Sequence, residues 1–456
     1  MTVQAITDNR ALVEQLARAD SGRMRAYRDN LAFYRGQQWT GTQRRRERRL
    51  VFNYAKALVD KSASYLMSGV ESVVDPDDAS PAAVERARVT ERALREVAEA
   101  NNLAQLDFDS EIDASILGDG AYKVTWDADQ RRVRVTTPDV QGLYAWWLGD
   151  DLGRVWRVAS RYVLSDEEAA LLYGVSGRPS PPNPLSQGAR GNRTHTVVEV
   201  WTDERFELWL DGALVESKAN PYGFIPFVIF PNLREAKQFW GVSDLASVRE
   251  PIRELNRALS QLSMILELSG NPVAVLENVT ESTDIAVAPG AVWELPERAR
   301  AYLLDLLQGG GVNLHVEYVN VLYRTLHDLG ETPRTSFGDS GRGLSGVALN
   351  IELDPLLKKV QRKRLLREVA LKRRNEMVLR LLEQHTGVRY APYRTRIVWG
   401  PLLPADESRR VMDETRLVAA GIHSRRRAAN ALGVEDPEGE FERWQAEERL
   451  RGDLTP

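Results

Sequence analysis

Apolar residues recur at helical spacing early in the chain: Leu12, Val13, Leu16 and Ala17, then Tyr27, Leu31, Phe33 and Tyr34, until Gly36 ends the run. A second helical pattern opens at Asn53-Tyr54 and closes at Ser68-Gly69, where glycine suits a helix C-terminus. Pro81 opens a third helix, rich in Glu and Arg, that ends near Asn101-Asn102. Residues 103–117 read as a fourth helix, stopped by Gly118-Asp119-Gly120. The period then switches to two. Ala121–Trp126 and Arg131–Thr137 alternate around a turn at 127–130, which predicts a hairpin. Strands are expected at 142–148 and 154–163, and a further hairpin from Thr196–Trp201 and Phe206–Leu210. Between them, 174–194 is rich in Gly, Pro and Ser and reads as an exposed, mobile loop.

Beyond Trp240-Gly241 the pattern becomes long-helical. Residues 242–269 carry Val242, Leu245, Val248, Ile252, Leu255, Leu259, Leu262, Ile265, Leu266 and Leu268, on a helix about 42 Å long. Pro251 predicts a kink or a start inside it. Strand-like runs follow at 272–279, 285–295 and 301–307, Gly309–Gly311 breaks the chain, and a helix covers 313–329. Residues 334–345 have no periodicity and read as a flexible loop. From Gly346 a third long helix runs to about Gln384, with Pro355 bending it near the first third. Residues 389–399 are strand-like, and 404–456 are charged and helical with a turn at 433–439. Helices, then antiparallel strands, then a helix–β–helix unit make the fold class α+β rather than alternating βαβ.

Composition narrows the function. The 456 residues amount to about three domains' worth of chain, and 43% hydrophobic with 28% charged residues is a folded composition. A net charge of −4 excludes a surface that is basic throughout, so any contact with nucleic acid must be local. The absence of cysteine excludes disulfides, thiolate metal sites and cysteine nucleophiles. No apolar run approaches the ~18–20 residues of a membrane span. The opening MTVQAITDNRALVEQ is too polar for a signal peptide, so a soluble protein that stays in the cytoplasm is expected. Arginine outnumbers lysine 52 to 9, a bias spread over the whole chain that by itself says nothing about DNA. Arg44–Arg49 (RRRERR) reads either as a solvated loop or as a phosphate-facing patch.

Several motif matches fail on context. Gly341-Arg-Gly-Leu-Ser-Gly346 fits the dinucleotide-binding pattern, but no hydrophobic strand precedes it and residue 366 is Leu where an acid is required. Gly338-Asp-Ser340-Gly341 matches a serine-protease nucleophile, yet the five histidines (His195, His315, His327, His385, His423) show no partner pattern. Asp107, Asp109, Glu111 and Asp113 alternate like a calcium loop, but Ile112 and Gly118 stand where glycine and a bidentate glutamate belong. On a helix these four carboxylates are expected to spread over several faces and be solvated. There is no phosphate-binding loop and no H-E-x-x-H, so no catalyst is named and no cofactor or metal is expected.

The order of elements and a series of short stretches resemble the portal proteins of tailed double-stranded DNA bacteriophages, of the siphophage type. The stretches are Phe33-Tyr-x-Gly36 with Trp39 nearby, Asn53-Tyr54 with Val59-Asp60 and Tyr65-Leu-x-x-Gly69, and Gly118-Asp-Gly-Ala-Tyr122. Asn220-Pro-Tyr-Gly-Phe-Ile-Pro226-Phe-Val-x-Phe230-x-Asn232, Gly241-Val-Ser-Asp-Leu245 and Glu254-Leu-Asn256 come next. Ser345-Gly-Val-Ala-Leu349, Gly421-Ile-His-Ser424 and Glu435-Asp-Pro-Glu438-x-Glu440 complete the series. Tyr222 within the Asn-Pro-x-Gly turn and the Pro-rich 174–194 loop depart from the pattern.

The resemblance implies a portal fold: a mixed α/β wing at 1–241, stem helices at 242–269 and 312–330, and a small β clip at 270–311. A tunnel loop at 331–345, a long kinked spine helix of the wing at 346–385, a wing strand at 386–403 and a helical crown at 404–456 follow. It implies a ring of about twelve copies at one capsid vertex, with no enzymatic activity, through which double-stranded DNA is packaged by a terminase and later ejected. Implied partners are weakly held duplex DNA, the terminase large subunit, major capsid and scaffolding proteins, and a head-completion or adaptor protein, with no membrane. Localisation would be the virion, and the host cytoplasm during assembly.

On this reading Arg334, Thr335, Ser336, Phe337, Gly338, Arg342 and Gly343 face DNA. Glu250, Arg253, Glu254 and Arg257 are candidates to line the channel, and Lys358, Lys359, Arg362 and Lys363 are candidate spine or intersubunit contacts. Residues 355–385 carry a net +7 and residues 81–113 a net −4, so the two are expected to pair, within or between copies. The alternatives are a basic face that meets DNA in the channel mouth, a sequence-independent DNA-binding protein using 44–49 and 355–385, and a hydrolase using Ser340.

Overall fold

The computed structural model describes residues 18, 20–45, 47–173, 194–270, 273–278, 298–304, 311–339, 346–402, 407–434 and 437–452. The expected helical positions 12–17, most of the 174–194 loop, the strand-like run 285–295 and residues 340–345, with Arg342, Gly343, Ser340 and most of the rejected glycine motif, lie outside the described residues. The chain divides into two compact units at Val398/Trp399.

The first unit opens with α1 (Ser21–Tyr34) and α2 (Tyr54–Leu66), followed by a short strand β1 (Val70–Val73), α3 (Pro81–Ala100) and α4 (Leu103–Leu117). Local chemistry sets these ends. Asn53 and Ser80 each accept a hydrogen bond from an N–H in the first turn of α2 and α3, and Pro81 occupies the first turn of α3. Strand β2 (Asp119–Asp127) then pairs antiparallel with β3 (Arg132–Thr136) and β9 (Phe227–Pro231), in register Lys123↔Thr136 and Asp119↔Pro231. A second, five-stranded antiparallel sheet has the order β4 (Leu143–Leu148), β5 (Asp151–Ser165), β6 (Thr194–Trp201), β7 (Arg205–Leu210) and β8 (Ala213–Ala219). Glu199 of β6 joins the two sheets: its buried carboxylate accepts from Lys123 Nζ (2.6 Å), Trp201 Nε1 (2.9 Å) and Tyr162 Oη (2.8 Å).

A short helix the sequence pattern did not indicate, α5 (Asp166–Tyr173), follows β5. It is held by His195, whose Nδ1 lies 2.6 Å from Asp211 Oδ2 and whose Nε2 lies 2.9 Å from Asp166 Oδ1. The hydrogen bond to Asp211 raises the imidazole above the usual histidine range against its burial, and Asp166 adds to it. The raised proton affinity means that this contact stabilises the fold fully below about pH 6.5 and is lost as pH rises through the folded-state value. His195→Gln should therefore destabilise the protein at pH 6, and the deficit should narrow at pH 9. Thermal melts at the two pH values check this, and an unchanged deficit would contradict it.

Two long helices, α6 (Arg249–Gly270) and α7 (Gly311–Leu329), flank an antiparallel pair, β10 (Val273–Glu277) and β11 (Arg300–Leu304), in register Val273↔Leu304. Their bases are sunk in the main core. Leu245, Val248, Ile252 and Leu255 pack with Leu326, Phe33, Leu58, Ile116 and Val197. Farther from that base several apolar residues are exposed: Met264 and Leu266 on α6, and Leu314 (74% exposed), Val316, Tyr318 and Val321 on α7. A single helix, α8 (Gly346–Thr386), then crosses α2, α3, β2 and β9, and β12 (Arg396–Trp399) pairs with β1. The second unit contains α9 (Glu407–Ala419), α10 (Arg425–Ala431) and α11 (Pro437–Gly452), with Ser424 capping α10.

Two expectations change. Helix α6 starts at Arg249, not at 242, with Pro251 in its first turn, where proline's missing N–H costs nothing. Residues 241–248 instead form a turn locked against the end of α4, where Ser243 Oγ–H donates to the carbonyls of Ile116 (2.6 Å) and Ser115 (3.1 Å). The loop expected to be flexible from 334 begins as a 3-10 turn, Arg334–Phe337, with Ser336 buried.

Candidate functional site

The charged spine of the molecule decides what its basic residues can do. On α8, Lys359, Lys363, Arg367 and Arg374 recur near helical spacing, and all four are buried. Lys363, with no exposed surface, donates to Ser115 Oγ (2.8 Å), Asp244 Oδ2 (2.8 Å) and Glu111 Oε1 (3.1 Å). Arg367 donates to Glu111 Oε2 (2.6 Å), to the Pro231 carbonyl (2.7 Å) and to Asn232 Oδ1 (3.0 Å). Asn232 in turn donates from Nδ2 to Asp244 Oδ1 at 2.8 Å. Arg374 pairs with Asp107 and lies over the Tyr122 ring. Charge burial on this scale is tolerated only where carboxylate partners are supplied, as Asp107, Glu111 and Asp244 are here. Burial alone would push the Glu111 carboxyl up, but Arg367 and Lys363 outweigh it and hold it below the usual glutamate range. Burial is likewise outweighed at Asp244, where Lys359 and Lys363 hold the carboxyl well below its ordinary value.

This arrangement corrects one expectation and locates the spine candidates. Asp107 and Glu111, four residues apart on α4, share one face and are buried ion-pair partners, not solvated carboxylates. Of the spine or intersubunit candidates, Lys359 and Lys363 are buried in contacts within their own chain; Lys358 and Arg362 are exposed, and Arg362 grips both oxygens of Glu331 at 2.7 and 2.6 Å. The basic helix therefore does pair with the acidic segment, within one chain. Much of its remaining charge is matched at the surface, Lys372 to Glu368 and Arg373 and Arg380 to Glu376. The four buried cations of α8 are withdrawn from any basic face it could offer to DNA. Sequence reasoning missed Asp244, Asn232 and the pairing role of Glu111. The four-residue spacing of Asp107 and Glu111, opposite cations at similar spacing on another helix, was the available signal.

The four channel candidates on α6 do come together. Glu250, Arg253, Glu254 and Arg257 line one recess with Gln38, Trp39, Thr40, Asn256 and Leu322. They neutralise one another three residues apart, Arg253 with Glu250 and Arg257 with Glu254 (2.6 Å), and Tyr318 of α7 donates to Glu254 at 2.8 Å. Asn256 anchors the wall, donating to Gln38 Oε1 at 2.6 Å and accepting from the Phe52 N–H at 2.8 Å. Of the arginine run 44–49, Arg49 stacks over Trp39 and donates to the Gly41 and Thr42 carbonyls, while Arg48 reaches Glu267 at 2.9 Å. Arg49 thus serves its own turn and Arg48 the flank of α6.

The described tunnel-loop candidates stand just beyond the end of α7. Arg334 pairs with Asp339 and lies 4.9 Å over the Tyr323 ring. Phe337 meets the edge of His327 (5.8 Å between ring centroids) and the Lys61 ammonium, while Ser336 donates to the Pro333 carbonyl at 2.6 Å. Thr335 is partly covered and Gly338, with φ of +88°, closes the turn. Among the described residues no group of acidic or histidine side chains could hold a metal ion, and no helix is long and apolar enough to cross a membrane.

Against known proteins, the family model described as "Phage portal protein, SPP1 Gp6-like" matches residues 14–451. Comparison with curated proteins returns no match.

Proposed function

We propose a division of labour within a chain that belongs to the SPP1 Gp6-like phage portal protein family. The protein is a phage portal protein, of the class that forms the DNA-packaging channel at a capsid vertex, and the match across residues 14–451 is the observation that carries this conclusion. Portal-family proteins are structural components of the virion, not catalysts.

The finer reading is ours. About twelve copies close into a ring by cyclic symmetry. The body at 1–241, with α8 as its spine, forms the wing. Residues 242–269 and 312–330, which carry the two long helices, form the stem, 270–311 the clip, 331–345 the tunnel loop, 386–403 a wing strand and 404–456 the crown. The bare apolar residues of α6 and α7, together with Leu365 and Val369 (69% exposed) on α8, suit contact with neighbouring copies. Duplex DNA passes through the bore, and the terminase large subunit, capsid and scaffolding proteins and a head-completion adaptor dock on the ring.

A conduit must hold a polyanion without gripping it, because each phosphate neutralised adds salt-dependent affinity. Glu250, Arg253, Glu254 and Arg257 cancel in pairs, which supports their place on a wall that DNA slides past. Arg334, half exposed and already paired with Asp339, offers a weak contact from the tunnel loop, with Arg342 as its second cation. Arg334→Ala combined with Arg342→Ala should leave rings intact and alter packaged DNA length or retention. Unchanged packaged length would remove these arginines from DNA contact. Mass photometry of the purified protein tests the ring itself, and annular particles are the expected result. A monomer or dimer with steep salt-dependent affinity for free duplex would favour a plain DNA-binding protein. That reading is weakened by four cations of α8 being buried.

A further inference from the structure

Lys359 sits where three helices meet. Its buried ammonium donates to the Gly330 carbonyl at 3.1 Å and lies 3.2 Å from Asp244 Oδ2. Gly330 follows the last residue of α7, Asp244 stands in the turn before α6, and Lys359 belongs to α8. One helical turn along, Arg362 holds the Glu331 carboxylate by both oxygens. Close by, Ser247 Oγ–H donates to the Leu329 carbonyl at 3.2 Å.

The gripped turn is tightly wound. The N–H groups of Gly330 and Thr332 return to the carbonyls of Leu326 and His327, and Thr332 Oγ–H donates to the Gly330 carbonyl at 2.9 Å. His327 Nδ1–H donates to the Thr332 carbonyl at 2.6 Å. Glu331 adopts a left-handed conformation, φ +48°, unusual for a residue with a side chain. The Arg334–Phe337 turn follows at once.

Burying an ammonium is costly; Lys359 helps to keep Asp244 ionised, but the hydrogen bonds of that carboxylate do not depend on it. Lys363 and Asn232 already satisfy its two oxygens at 2.8 Å each. What only Lys359 supplies is the link to Gly330. We propose that Lys359, assisted by Arg362, is a positioning residue: a clasp through which the spine helix sets segment 331–337 relative to the base of the two long helices. This rests on the portal reading for its consequence, which is that the loop shifts in the channel only when the clasp yields or α8 moves with it.

Hydrogen exchange on the full-length protein tests the clasp directly, because the Gly330, Thr332, Ser336 and Gly338 amides are all hydrogen-bonded. Lys359→Met should speed exchange across 330–338 by about tenfold while leaving the 363–378 stretch of α8 and strands β6–β7 unchanged. Lys359→Arg should restore protection. Unchanged exchange at 330–338, or an acceleration spread over the whole chain, would overturn the proposal. If Lys359→Met does not accumulate as folded protein, Arg362→Gln decides: this surface change should speed exchange at 331–337 by about threefold, and no effect there overturns the clasp. DNA retention in particles assembled with Lys359→Met reads the portal part separately. Altered retention supports it, whereas normal retention beside faster exchange would sustain the clasp and reject the DNA-facing role of the loop.

Discussion

Replacing Glu111 with glutamine should cost about 3–5 kcal/mol of folding stability. The variant keeps the shape of the side chain but leaves Lys363 and Arg367, both buried, without the carboxylate that now accepts from each of them. Asp244 remains to Lys363, so the uncompensated charge falls chiefly on Arg367, which keeps only neutral acceptors at Pro231 and Asn232. The sign of the pH dependence follows from the depressed carboxyl. The unfolded glutamate takes up its proton near pH 4.3, before the folded one does, so the stabilisation is complete at neutral pH and lost as pH falls through the folded-state value. Urea unfolding at pH 7 and pH 3.5 should show a large gap between wild type and variant that contracts in acid. A variant within 1 kcal/mol of wild type at pH 7 would mean that the cluster is held by packing alone.

Gly241→Ala should destabilise the chain by about 3 kcal/mol and detach the root of the first long helix. A Cβ on Gly241 would lie 2.3 Å from the Gly118 carbonyl oxygen and 2.7 Å from Pro231 Cβ, and backbone on both sides prevents relief. Gly118 faces it with φ of +110°, and its own Cβ would meet the Gly241 oxygen at 2.9 Å. The end of α4 and the turn before α6 thus touch backbone to backbone, tied also by the Asp244 N–H donating to the Ser115 carbonyl at 2.9 Å. Loss of ring formation with retained β-sheet signal would mark a failure confined to this joint. An alanine variant as stable as wild type would show that the contact can open without cost.

Helices α3 and α4 were legible because their ends carry local signals, Ser80-Pro81 at one start and Gly118 at one stop. The first strands and hairpins were legible because alternation survives where one face meets the core. Helix α6 was misread at its start for a physical reason: Leu245 and Val248 are core residues at helical spacing, but they lie in a turn that Ser243 and Asp244 tie to α4. Strand β8 has exposed apolar residues, Leu214 and Val215, and no alternation to detect. The electrostatic centre was half legible. Charge totals indicated that the basic helix and the acidic segment meet, but totals carry no geometry. They could not separate Asp107 and Glu111 from Asp109 and Asp113, nor reveal Asp244 from a distant turn. The channel candidates on α6 cluster as their spacing suggests, and Arg342 and Gly343 fall outside the described residues.

The bare outer lengths of the two long helices carry a consequence for the newly made polypeptide. Leu266, Leu314 and Val321 meet water in a solitary copy, on helices whose bases are already locked into a finished core. Folding alone cannot hide them, so a subunit leaving the ribosome remains adhesive until something else covers it. Overproduction without its companions should send such subunits toward chaperones or inclusion bodies, and the ratio of synthesis to encounter would then govern how much usable protein an infected cell obtains.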